Sequence, residues 1–320
     1  MVISRDISRK MRGIAILIVV ASHVAEWMML NGIQFKPLEY ISSWGPLGVD
    51  IFFLMSGYAL VKSAKESAKR TGHGFGITYR FILKRILAVY IPYIIVETVL
   101  YTVDGAWSDG VNIIGFLTGR DYWFMQVIFI MYILFMLIWS LIPGEKVKVG
   151  LLAILVLLLT GYFYVSGRRD FWELSNLAFP MGAYLAICEG EDDKRFLAGF
   201  TKKQILAGSM LVFLVTVVGM LVMPLYLFKP RFICEFVMSL MFTVVVAMLS
   251  YMWSGSDRGG RGLLSFLGAN SLFIYLCHER IFWWIMSYAD GLPFVVASIC
   301  TIIATVLVSA AVGTLYNRLL

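Results

Sequence analysis

The chain has 320 residues, of which 60% are hydrophobic and 15% charged, with a net charge of +7 and a mean hydropathy of +0.83. Soluble domains run near half apolar and a quarter charged, so this composition excludes a water-soluble globular protein. The positive charge does not point to nucleic acid, because the basic residues fall in short segments between apolar runs rather than in one patch.

A membrane span needs roughly 20 mostly apolar residues. Ten candidate runs follow one another, at 11–30, 45–61, 81–103, 123–142, 149–166, 174–188, 204–227, 232–253, 264–287 and 293–316. Most are separated by plain polar or Gly/Pro breaks such as PGEKVK, SGRRD, EGEDDKR and SGSDRGGRG; the sixth run is short. The first lacks a small-residue cleavage site and reads as a retained signal anchor. With the N-terminus inside, 20 of the 27 Lys and Arg fall on cytoplasmic segments and 6 on outer loops, while Arg280 sits within the ninth run. The positive-inside rule then puts both termini in the cytoplasm. The expected architecture is an all-α bundle of about ten transmembrane helices. It forms a single domain over residues 1–320 with no appended soluble domain. No internal repeat is visible, which disfavours inverted-repeat transporter plans.

The first run, MRGIAILIVVASH, opens on Arg12 and holds His23. Eleven residues make three helical turns plus about 20°, so the two side chains share one face about 16 Å apart along the axis. Arg12 falls at the cytoplasmic interface, where a snorkelling side chain is one reading. A histidine at the depth of His23 is a functional-site candidate; a neutral imidazole bonded to a neighbouring helix is the other reading. Glu26, three residues on, lies beside His23 and either orients the imidazole or faces the outer interface.

In GPLGVDIFFLMSGY, Asp50 is an acid near the outer end of an apolar segment, and Ser56-Gly57 permits close helix approach. The inner loop 62–85 carries seven basic residues against one acid. That composition fits a topology signal, anionic-lipid contact or a phosphate-binding surface. Its GHGFG lacks the GK[ST] ending of a P-loop, and His73 within it reads as a solvated loop histidine. FLGANSLFIYLCHERIFW places His278 deep in the ninth run, with Glu279 and Arg280 beside it. Without HExxH or carboxylates at ligand spacing, no metal is expected. Cys188, Cys234, Cys277 and Cys300 show no CxxC spacing and read as small apolar residues rather than a disulfide frame.

Five pieces in register resemble the acyltransferase 3 family of integral membrane acyltransferases. They are MRGIAILIVVASH with its Arg, ten residues, His pattern; GVDIFFLMSGY; KRILAVYIPY; YWFMQVIFIMYILF; and FLGANSLFIYLCH. The resemblance implies a bundle of ten helices with both ends inside. It also implies transfer of acyl groups, commonly acetyl from acetyl-CoA, onto hydroxyls of cell-surface glycans, lipid-linked sugars or similar acceptors. It maps the family's functional arginine and histidine onto Arg12 and His23. The family's RxxR-type feature falls on Arg85, but its second arginine position is Ala88 here, leaving Arg80 and Lys84 to supply further charge.

The expected site therefore has His23 as base, Arg12 and Glu26 as its partners, and Arg12, Arg85, Lys84 and Arg80 on the phosphates of acyl-CoA. Asp50, Trp123 and His278 are assigned to the acceptor side by motif position. The expected setting is the bacterial cytoplasmic membrane, with the lipid bilayer around the chain and either a homodimer or a separate transfer partner. The rival expectation is a proton-coupled permease or flippase without acyl chemistry.

Overall fold

The computed structural model describes residues 3–71, 79–109, 113–120, 122–167, 171–188, 200–222, 231–253, 262–288 and 293–319. GHGFG and His73 lie outside them. The described residues form helices and connecting turns: α1 (Arg5–Leu30), α2 (Lys36–Ser42), α3 (Gly45–Thr71), α4 (Tyr79–Arg85), α5 (Ile91–Val103), α6 (Ile113–Thr118), α7 (Trp123–Leu141) and α8 (Glu145–Val165). There follow α9 (Phe171–Leu174), α10 (Ala178–Cys188), α11 (Lys202–Val222), α12 (Arg231–Trp253), α13 (Leu263–Ala269), α14 (Ser271–Tyr288) and α15 (Phe294–Leu319). One turn of π-helix, Ile86–Tyr90, joins α4 to α5.

A helix occupies each of the ten apolar runs. Six are long and apolar enough to cross a membrane by length and composition: Arg5–Leu30, Lys36–Arg70, Tyr79–Val103, Trp123–Leu141, Glu145–Val165 and Phe294–Tyr316. Four runs fall outside those six: in the seventh and eighth the apolar parts of α11 and α12 are the shorter Leu206–Gly219 and Val237–Val246 among the described residues, and the other two differ in build. The sixth holds only the 11-residue α10, about 16 Å long and too short to cross hydrocarbon unaided. The ninth breaks at Asn270 into α13 and α14. α14 is 18 residues long, and its central His278-Glu279-Arg280 lowers the hydropathy that would mark it as a span.

α1 begins where Ser4, in extended conformation, accepts the Ile7 N–H at 3.3 Å, with Asp6 in the first turn. It stops at Asn31, whose side chain donates to the Trp27 carbonyl at 2.8 Å, before Gly32 with φ of 82°. Exposed surface is aliphatic, for example Ile154, Leu157 and Leu158 on α8. Such a face would invite aggregation in water and suits lipid.

Glycines let main chains meet. A Cβ on Gly57 of α3 would strike the Phe179 carbonyl of α10, and one on Gly182 of α10 would strike the Leu54 carbonyl of α3. The same reciprocity ties Gly13 of α1 to the Leu264 carbonyl and Gly268 of α13 to the Arg9 carbonyl. α13 thus runs antiparallel along the first half of α1, and the chain turns at Asn270 to bring α14 back beside α1. Some buried polar groups bond across helices: Asn176 donates to Thr160 Oγ1 at 3.2 Å, and Ser22 to the Ser42 carbonyl at 2.6 Å. Contacts also sort the ends of the helices. Ile3 N–H donates to the Tyr58 hydroxyl at 3.0 Å, Ser265 to Asp6 at 3.0 Å, and Lys65 to the Ala186 carbonyl at 3.2 Å, all at the basic end of the bundle.

Candidate active site

α1 and α14 converge on a pair of imidazoles. His23 Nδ1 lies 2.6 Å from His278 Nε2, and the ring planes differ by 4°. The centroid separation of 4.8 Å nearly equals that nitrogen distance plus the two ring radii. The rings therefore meet edge to edge in a common plane rather than lying face on face, which is the geometry of a linear hydrogen bond.

The direction of that bond follows from its anchor. His278 Nδ1 is 2.7 Å from the Tyr275 carbonyl oxygen, which only accepts, so Nδ1 carries the proton. In neutral His278 the lone pair is then on Nε2, and it accepts from His23 Nδ1–H. His23 Nε2 is left with a lone pair. Glu279 Oε1 also stands 3.2 Å from His23 Nδ1, with 48% of its side chain exposed. His278 is 2% exposed, so one member of the pair is sealed in while the His23 side chain keeps 24% of its surface.

His23 Nδ1, His278 Nε2 and a Glu279 oxygen are ligand-type atoms within 4.8 Å of one another. Two imidazole nitrogens on one tetrahedral zinc ion stand about 3.3 Å apart with lone pairs converging on the ion. The observed 2.6 Å with facing nitrogens is the spacing of a shared proton instead.

Neighbours fix the pair. Trp27, one turn beyond His23, stacks on Phe282 with centroids 3.6 Å apart. The Tyr122 hydroxyl donates to the Leu276 carbonyl at 3.0 Å. Beyond the pair, Arg280 bonds Asp104 at 2.9 Å and Trp284 Nε1 donates to Asp104 at 2.6 Å, which sets the rotation of α14 against the end of α5.

The other expected residues are spread along the bundle. Arg12 is half-buried, donates Nε–H to the Ser8 carbonyl at 3.3 Å, and has no acidic partner among the described residues. Arg85 lies over the Phe81 ring at 5.8 Å, and its Nε is buried without a hydrogen-bond partner among the described residues. Arg80 and Lys84 are exposed. Asp50 is fully buried and accepts from Ser239 at 2.7 Å, while Trp123 packs near Trp172 and Phe124. His278, expected on the acceptor side, is the direct partner of His23. Glu26 is exposed, about 60° round the helix from His23, and the carboxylate that reaches the imidazole is that of Glu279. Sequence reasoning gave Glu279 and Tyr275 no role. The available signal was HER inside an apolar run, since ionisable groups at that depth are functional candidates.

A helical membrane bundle with two hydrogen-bonded histidines and a carboxylate gathered where two helices meet defines a class of multi-pass membrane protein with ionisable groups on an inner face. The family described as Acyltransferase domain matches residues 10–314, nearly the whole chain, and the protein belongs to this acyltransferase 3 family. No curated protein and no solved structure matches the chain.

Proposed function

We propose that this membrane acyltransferase moves an acetyl or other short acyl group from acetyl-CoA in the cytoplasm onto a hydroxyl of a cell-surface glycan, lipid-linked sugar or similar acceptor. In this reading the helical bundle sits in a bacterial cytoplasmic membrane with both termini inside, the short α10 packed within it rather than crossing alone. The observation that carries it is the chain of hydrogen bonds from His23 Nδ1 through His278 to the Tyr275 carbonyl, from which a lone pair on His23 Nε2 follows.

His23 Nε2 takes the proton of the acceptor hydroxyl as its oxygen attacks the thioester carbonyl. The carbon–sulfur bond then breaks, and the imidazolium returns the proton to the departing thiolate. Glu279 offsets the transient positive charge on His23, and His278 holds its tautomer as a positioning residue. Arg12 and Arg85 take CoA phosphates at the basic end, with Arg80 and Lys84 on the exposed rim. The axial distance of about 16 Å between Arg12 and His23 is then bridged by the slender pantetheine arm.

The test is CoA binding by purified protein in nanodiscs, followed by transfer from labelled acetyl-CoA. Binding and transfer are expected. Substrate uptake into proteoliposomes with no CoA binding would favour the permease instead. Arg12→Ala weakens CoA binding by about 10- to 100-fold, the scale of charged hydrogen bonds lost. An unchanged affinity removes Arg12 from the donor site. Glu279→Gln slows transfer by roughly threefold to tenfold at unchanged donor KM, as befits one partly exposed charge contact. Steady-state kinetics at saturating acceptor reads both constants.

A further inference from the structure

The π-turn next to Arg85 has a main-chain acceptor that its own helix cannot satisfy. In this turn the Ile91 N–H bonds the Ile86 carbonyl, five residues back. The next donor in that register would be residue 92, bonding the Leu87 carbonyl. Residue 92 is proline and has no N–H. The widened turn relieves the clash a proline ring makes with an α-helical carbonyl four residues earlier, but it leaves the Leu87 oxygen without a donor from that position.

The Tyr316 hydroxyl donates to that oxygen. Its placement is built into the packing of α15. At Gly313, one turn earlier, a Cβ would come within 2.6 Å of Asn270 Oδ1 and 3.2 Å of the Phe273 ring, so α15 lies close against the α13–α14 corner. Phe273 then packs edge-on against the Tyr316 ring, with centroids 6.1 Å apart. Residues 229 apart in sequence thereby join the last helix to the turn that follows Arg85.

We propose that Tyr316 is a positioning residue for the acyl donor, standing in for the missing amide of Pro92 and holding the π-turn that sets the facing of Arg85. This rests on the acyl-CoA reading above. A π-turn inserts one extra residue, so it rotates everything before it by about 100° relative to an unbroken α-helix. Arg85 ends the segment so rotated. Its buried Nε, without a hydrogen-bond partner among the described residues, and its ring contact with Phe81 belong to that rotated setting. Loss of the Tyr316 hydroxyl leaves the Leu87 carbonyl unsatisfied and allows the turn to relax, swinging Arg85 away from the phosphates.

CoA affinity and thermal midpoint are measured for wild type, Tyr316→Phe, Pro92→Ala and the double variant, alongside steady-state transfer kinetics. Tyr316→Phe is expected to raise the CoA Kd and donor KM by about threefold to tenfold with kcat within twofold, a split that general loosening of the bundle would not give. In the Pro92→Ala background the main chain supplies its own donor. There Tyr316→Phe adds no further loss in CoA affinity or thermal midpoint. Equal CoA affinity in wild type and Tyr316→Phe, or fully additive losses in the two backgrounds, overturns the positioning role alone. Should wild-type protein bind no CoA, the donor reading itself falls and takes this role with it.

Discussion

His23→Ala lowers the acyl-transfer rate by about 10²- to 10⁴-fold, the usual worth of one positioned general base, or roughly 3 to 5 kcal/mol of barrier. CoA affinity stays near wild type, because Arg12, proposed to take a CoA phosphate, lies some 16 Å away along α1. The neighbouring substitution separates a base from a mere polar contact. His278→Phe removes the acceptor for His23 Nδ1–H and frees the imidazole to turn or take the other tautomer, so transfer falls toward the His23→Ala level. His278→Gln keeps an oxygen acceptor for the same N–H and retains activity to within about tenfold. Transfer from labelled acetyl-CoA, with membrane expression confirmed for each variant, reads all three. Undiminished transfer by His23→Ala would end the base mechanism.

Gly268→Val destabilises the bundle and lowers transfer together. The added side chain meets the Arg9 carbonyl of α1, a main-chain atom that cannot step aside without moving a helix. Overpacking of this kind costs about 1 to 3 kcal/mol, and here it pushes on the corner that delivers α14 and His278 to His23. Gly182→Val meets the Leu54 carbonyl and carries a similar stability cost, yet it acts on the α3–α10 crossing. Gly161 of α8 gives the opposite sign. Nothing lies within 4 Å of a Cβ there, so Gly161→Ala stabilises the helix by about 0.5 to 1 kcal/mol. Thermal unfolding of the three variants in one detergent checks the order. A Gly268→Val protein as stable as wild type would contradict the close crossing.

Helix positions were legible because apolar runs and Gly/Pro breaks are local signals. The shared face of Arg12 and His23 was legible too, since it needs only the helical pitch. The pairing of His23 with His278 was not, because the two lie 255 residues apart and no periodicity links them. For the same reason Glu26, adjacent in sequence, was the visible partner for His23, whereas Glu279 arrives on another helix. The break at Asn270 has no sequence signal because both pieces are apolar; it is the meetings of Gly13 with Leu264 and Gly268 with Arg9 that show the first piece running antiparallel to α1. The irregular turn before Pro92 has no place in the sequence reading of the third run, and the hydroxyl that answers it comes from Tyr316, 229 residues away from Leu87.

The polar triplet of α14 also bears on how the protein is made. Charged residues at the centre of a segment each disfavour its transfer by the translocon into lipid by about 2.5 to 3.5 kcal/mol. Glu279 and Arg280 find their counterparts on segments synthesised much earlier, His23 on α1 and Asp104 at the end of α5. Integration of α14 is thus tied to the prior arrival of those helices, and the pairing of His23 with His278 forms only once a segment made 255 residues later has come to rest against α1.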